Sequence, residues 1–158
     1  MQCLQIITER ATLEYANEKY VENVSVFITR YGRRSPYYMN ILGRNKHTWT
    51  NNVTINVVFF EYLHNEYRRS FVELHFRLCD MLNSDPYVGA MVAKAGITCP
   101  AYSKMQYLVN MTVPTADFKY LVPFKKAMAE LEFTITKTGE SIAKARFYVT
   151  FVDKKKLI

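Results

Sequence analysis

Residues 77–100 read RLCDMLNSDPYVGAMVAKAGITCP. Two of the chain's three cysteines, Cys79 and Cys99, fall near its ends. Asp85 before Pro86 is an N-cap followed by proline at the first helical position, where the missing N–H costs nothing. Tyr87, Val88, Met91, Val92 and Ala95 then recur at helical spacing, and Gly96 stands where a left-handed C-terminal residue is wanted. The spacing predicts a helix from Pro86 to Ala95. On both sides the apolar period is two rather than 3.6, so the stretch reads as a short helical insert (about 78–95) in a β protein, lying across one end of a sandwich. A Cys79–Cys99 disulfide would pin it, and closing a loop of about 20 residues adds ~3 kcal/mol in the chain-entropy picture. Two buried free thiols in a reducing compartment are the other use of such cysteines.

Working outward, Lys104 to Val113 alternates, with Met105, Tyr107, Val109, Met111 and Val113 sharing one face. Upstream, Tyr67 to Phe76 puts Val72, Leu74 and Phe76 inward. Thr50 to Tyr62 does the same with Val53, Ile55, Val57 and Phe59. Val24, Val26 and Ile28 face one way in residues 21–30. The turn at Tyr31 to Pro36 leads to a returning strand at Tyr37 to Leu42. Residues 5–15 alternate loosely, with Ile7, Ala11, Leu13 and Tyr15 on one side. Pro114 to Lys126 is a loop with apolar content. The chain closes with a hairpin turning at Lys137 to Glu140, whose arms carry Ala129, Leu131, Phe133 and Ile135, then Ala143, Ala145, Phe147, Val149 and Phe151, inward. Seven to eight antiparallel strands with turns between them describe an all-β sandwich in a single domain over 1–158.

Composition agrees: 158 residues, 49% hydrophobic, with 12 Tyr and 10 Phe, make a packed chain rather than a disordered one. The longest apolar runs are too short to span a bilayer, and residues 1–10 lack the apolar core of a signal peptide. Asn23, Asn52 and Asn110 each open an N-glycosylation pattern, and each is placed on the polar face of its strand. Net charge is +7 with pI ≈ 9.3. The basic residues come as scattered pairs (Arg33-Arg34, Arg68-Arg69, Lys125-Lys126) and a Lys154–Lys156 run. They read as solvated loops, or as a rim suited to anionic headgroups or to an acidic partner or receptor. Aromatics on inward faces argue against nucleic-acid binding.

Chemistry is thinly represented. The phosphate loop, the Gly-x-Ser-x-Gly elbow and the His-Glu-x-x-His helix are all missing from the sequence. His47, His64 and His75 read as ordinary surface residues. No metal ligand set or cofactor motif is visible, and a Cys79–His75 nucleophile pair would need a free thiol. The chain is therefore expected not to be an enzyme. Phe59, Phe76, Met105, Tyr107, Met111, Phe133, Phe147 and Phe151 point into one interior. That interior is either a filled core, serving a solid interaction module that docks through basic loops, or a cavity between splayed sheets.

Leu78-Cys79-Asp80-Met81-Leu82, Cys99-Pro100, a strand ending Tyr107-Leu108-Val109-Asn110, and prolines at Pro114 and Pro123 before a closing hairpin resemble an insect family of small secreted proteins. That family, of unknown function, is related to the myeloid-differentiation-protein-related lipid-recognition (ML) superfamily and the ganglioside activator. The resemblance runs from about Asn23 to Val152. It implies an immunoglobulin-like β-sandwich that opens between its sheets onto a hydrophobic cavity, secretion, and a Cys79–Cys99 bridge. It also implies non-catalytic binding of a lipid or lipid-like semiochemical. The sequence departs from the family in having only Cys3 where an N-terminal cysteine pair is usual. It also has Pro123-Phe-Lys-Lys-Ala127 where Pro-x-Gly-x-Tyr is expected.

On this reading Phe59, Phe76, Val109, Met111, Leu131, Phe133, Phe147 and Val149 line the cavity. Tyr87, Val88 and Met91 of the helix, with Phe118, Leu121 and Phe124 of the loop, form its mouth. No cofactor is expected, and the ligand is a small hydrophobic molecule.

Overall fold

In a computed structural model, which describes residues 4–112 and 125–153, the alternating stretches pair into two antiparallel sheets. The larger has five strands in the order β1 (Leu4–Ala16), β8 (Ser141–Asp153), β7 (Lys126–Ile135), β4 (Val53–Leu63), β5 (Glu66–Arg77). The smaller has three, β2 (Val21–Thr29), β3 (Tyr38–Asn45), β6 (Met105–Met111). The fold is thus an all-β sandwich of eight strands among the described residues.

Period-two burial explains the central strands. On β4, Val53, Ile55, Val57 and Phe59 are buried while their neighbours are only partly so. They stand beside Phe133, Leu131 and Ala129 of β7, which pair with Ile55, Val57 and Phe59 in turn. Ala143, Ala145, Phe147 and Val149 of β8 continue the same inward face. The closing hairpin turns at the expected place, with Gly139 at φ 75.

The helical insert is present but divided. One helix, α1 (Leu78–Ser84), follows β5 directly, and a second, α2 (Val88–Lys94), follows a turn. The expected single helix from Pro86 to Ala95 begins two residues later than predicted. Asp85 still serves its N-terminus: its Oδ2 accepts hydrogen bonds from the N–H of Gly89 at 2.8 Å and of Tyr87 at 3.2 Å. Gly96 at φ 108 ends it. The first helix is capped from a distance, by the Asn51 side-chain oxygen, which accepts from the N–H of Cys79 (2.9 Å) and Asp80 (3.2 Å).

Three expectations about strand faces are overturned, two of them by an irregularity in pairing. In β6, Val109 and Asn110 together oppose the single residue Asn40. This bulge turns Leu108 inward and leaves Tyr107 60% and Val109 40% exposed, whereas strict alternation places both inside. In β1, register shifts after Thr8 and after Leu13 break the predicted one-sided set. Ile6 and Thr8 turn inward, and Leu13 and Tyr15 are exposed. Asn52 lies in the turn before β4, not on a strand.

Candidate functional site

The sheets do not close on each other. Between them lies a cavity of about 180 Å³. That is more than ten times the roughly 10–15 Å³ that one water needs. Its wall takes Ile55, Val57 and Phe59 from the large sheet, Met39, Ile41 and Leu108 from the small one. On β8 it runs from Ala143 to Val149, a span of six residue steps or about 20 Å of strand, so the space is elongated.

One flank is walled by α2, through Val88, Met91 and Val92, and by Tyr87 just before it. The position of α2 follows from its packing on α1. A Cβ on Gly89 would stand 2.0 Å from the Met81 carbonyl oxygen, so glycine alone allows this approach. Met81 and Gly89 are both buried there. Cys79 and Cys99 are joined, with Cα atoms 5.6 Å apart, so the pair of helices returns to its starting point before β6 begins.

Six of the eight predicted lining residues, Phe59, Met111, Leu131, Phe133, Phe147 and Val149, meet on the cavity wall. Phe76 and Val109 do not. Phe76 pairs with Ile55 near the end of β5 and borders a shallow outer groove with Arg77, Asp80 and Ser84. Val109 is turned outward by the bulge. Of the predicted mouth, Tyr87, Val88 and Met91 form wall, while Phe118, Leu121 and Phe124 lie outside the described residues, as does Cys3. Sequence reading missed Trp49, Val21 and Ile6 on the wall. Trp49 precedes the first residue of β4 by four positions and carries no periodic signal. Its backbone is fixed by a two-way bridge to Ala101, N–H to O at 2.9 Å in each direction.

No charged side chain lines the cavity among the described residues, and its two polar amides are occupied. The Asn45 Nδ2 donates to the carbonyls of His47, Ala101 and Tyr102, and its Oδ1 accepts from the N–H of Lys104 and from Gln106 Nε2. One wall atom differs: Trp49 Nε1 is buried with no hydrogen-bond partner. An orphan buried donor costs about 1–3 kcal/mol. The Trp49 ring packs 5.6 Å from Phe133 and 6.2 Å from His47, which in turn meets Tyr20 at 5.7 Å. Burial holds the His47 imidazole below its ordinary pKa.

Outside the cavity the basic pairs are largely matched. Arg68 meets Glu66 at 2.7 Å, Arg69 meets Glu73 at 2.5 Å and Lys126 meets Glu9 at 3.9 Å, while Arg33 and Arg34 are exposed in the β2–β3 turn. The sequon residues Asn23 and Asn110 are exposed at strand bulges with φ 54 and 56. Asn52 is exposed too, but its Nδ2 donates to the Thr48 carbonyl. Among the described residues no three His, Cys, Asp or Glu side chains converge as a metal site, and no helix is long and apolar enough to cross a membrane. Among protein-family models and curated proteins, none matches this chain.

Proposed function

We propose that this protein is a secreted, non-catalytic carrier that holds a lipid or lipid-like hydrophobic molecule between its two sheets, and that it is related to the ML lipid-recognition proteins its sequence resembles. The observation that supports this reading most is the elongated apolar cavity, walled by both sheets and by α2. Packed interiors leave few voids larger than a water, so a space of this size is a feature rather than a packing defect. With no charge on the described wall, affinity comes from apolar surface removed from water, and selection from the length and shape of the space. The Cys79–Cys99 bridge and three exposed sequon asparagines support an oxidising, extracellular setting.

The test is titration with N-phenyl-1-naphthylamine, a neutral dye that brightens in apolar surroundings. Saturable uptake at micromolar dye, reversed by a long-chain neutral lipid, is expected. A protein that is folded and disulfide-bonded yet takes up no displaceable dye would overturn the carrier reading.

A further inference from the structure

The carrier reading leaves the chemical class of ligand open, and the wall narrows it. Trp49 is the only tryptophan in the chain. Its indole borders the cavity at the end bounded by Val21, Asn45, Phe133 and Ala143. Nε1 has no acceptor and is enclosed so closely that a water-sized sphere cannot reach it. Nearby acceptors have other uses: the Ala101 carbonyl takes the Trp49 N–H and Asn45 Nδ2, and Asn45 Oδ1 takes two donors. Buried donors nearly always have partners, whereas phenylalanine would offer an aromatic ring here with no donor to satisfy. The cavity lies beside the ring, and the backbone of Trp49 is bridged to Ala101, so a movement of Nε1 toward the cavity is a rotation of the side chain alone.

We propose that the ligand is an uncharged, mostly hydrocarbon molecule carrying a hydrogen-bond acceptor, a carbonyl, ester, ether or hydroxyl oxygen, and that the Trp49 indole turns on ligand entry to donate Nε1–H to it. The proposal rests on the carrier reading above. The acceptor is neutral because the described wall holds no cation to offset a buried carboxylate or phosphate.

Pentadecane and 2-pentadecanone, matched in length and differing by one oxygen, are used to displace the naphthylamine dye from the wild-type protein and from Trp49→Phe. Wild type is expected to prefer the ketone about tenfold, and Trp49→Phe to lose that preference, the two compounds then displacing the dye at matching concentrations. As a readout independent of the variant's folding, the ketone shifts the single-tryptophan emission of wild type and the hydrocarbon does not. Equal displacement by both compounds in wild type, or a ketone preference that survives in Trp49→Phe, overturns the role of Trp49 and leaves the carrier reading standing. No dye uptake by either protein overturns both, and so is told apart from the first failure.

Discussion

The side-chain oxygen of Asn40 accepts a hydrogen bond from the backbone N–H of Asn110 at 3.0 Å, at the point where β6 carries one residue more than β3. Asn40 is 2% exposed, and its Nδ2 is held by the Phe27 and Tyr38 carbonyls and the Thr29 hydroxyl. A buried amide thus replaces the ladder bonds that the bulge interrupts. It also sets which way Tyr107, Leu108 and Val109 point.

Replacing Asn40 by alanine leaves the Asn110 N–H without this acceptor, and the Phe27 carbonyl and Thr29 hydroxyl of β2 without this donor. A loss of about 2–3 kcal/mol is expected, since each buried orphan costs roughly 1–3 kcal/mol. The midpoint of urea unfolding, followed by Trp49 emission, measures it. An unchanged midpoint would mean that the bulge is held by the backbone alone.

Gly89→Ala tests the seat of α2. The added methyl meets the Met81 carbonyl at 2.0 Å, and backbone cannot yield as a flexible side chain can. The helix must move away from α1, at a cost of about 2–3 kcal/mol. Because Val88, Met91 and Val92 form cavity wall, dye affinity should weaken along with the melting temperature. If melting and dye uptake both match wild type, the two helices are not held as described.

Filling the space should separate binding from stability. Ala129 lines the cavity opposite the small sheet, so Ala129→Leu extends into room that is already there. Dye uptake is expected to fall at least tenfold, while stability holds or rises by about 0.5–2 kcal/mol. Intact uptake by a folded Ala129→Leu protein would place the dye somewhere else.

His47 predicts a pH dependence. Burial lowers its folded pKa below the ordinary 6.5, so the native state binds fewer protons than the unfolded state between those two values. The stability from His47 is complete above about pH 6.5 and is lost as pH falls through that window toward the depressed pKa. The charged groups nearest its partner Tyr20 are Glu140, to which the Tyr20 hydroxyl donates, and Lys19, 3.6 Å from the same carboxylate. Unfolding midpoints at about pH 7.5 and 5.5 should differ more for wild type than for His47→Gln. Identical pH profiles for the two proteins would count against it.

Sequence alone determined the strands whose partners are regular. Val53, Ile55, Val57 and Phe59 could be placed inward by period two because β4 pairs with β7 without a shift from Val53 to Glu61. The arms of the closing hairpin pair without a shift from Lys126 to Phe133, and there, as in the helical spacing after Asp85, each local preference agrees with the final environment. Tertiary structure decided the rest. Whether Leu108 or Val109 faces inward depends on the extra residue in β6, and a bulge is a property of two strands in register, not of one. Trp49 reached the wall through a bridge to Ala101, 52 positions away, which no local pattern announces. The cavity is likewise a distance between two sheets. Side-chain identity restricts that distance, but only the seating of α2 against α1 and the pairing of both sheets make it real.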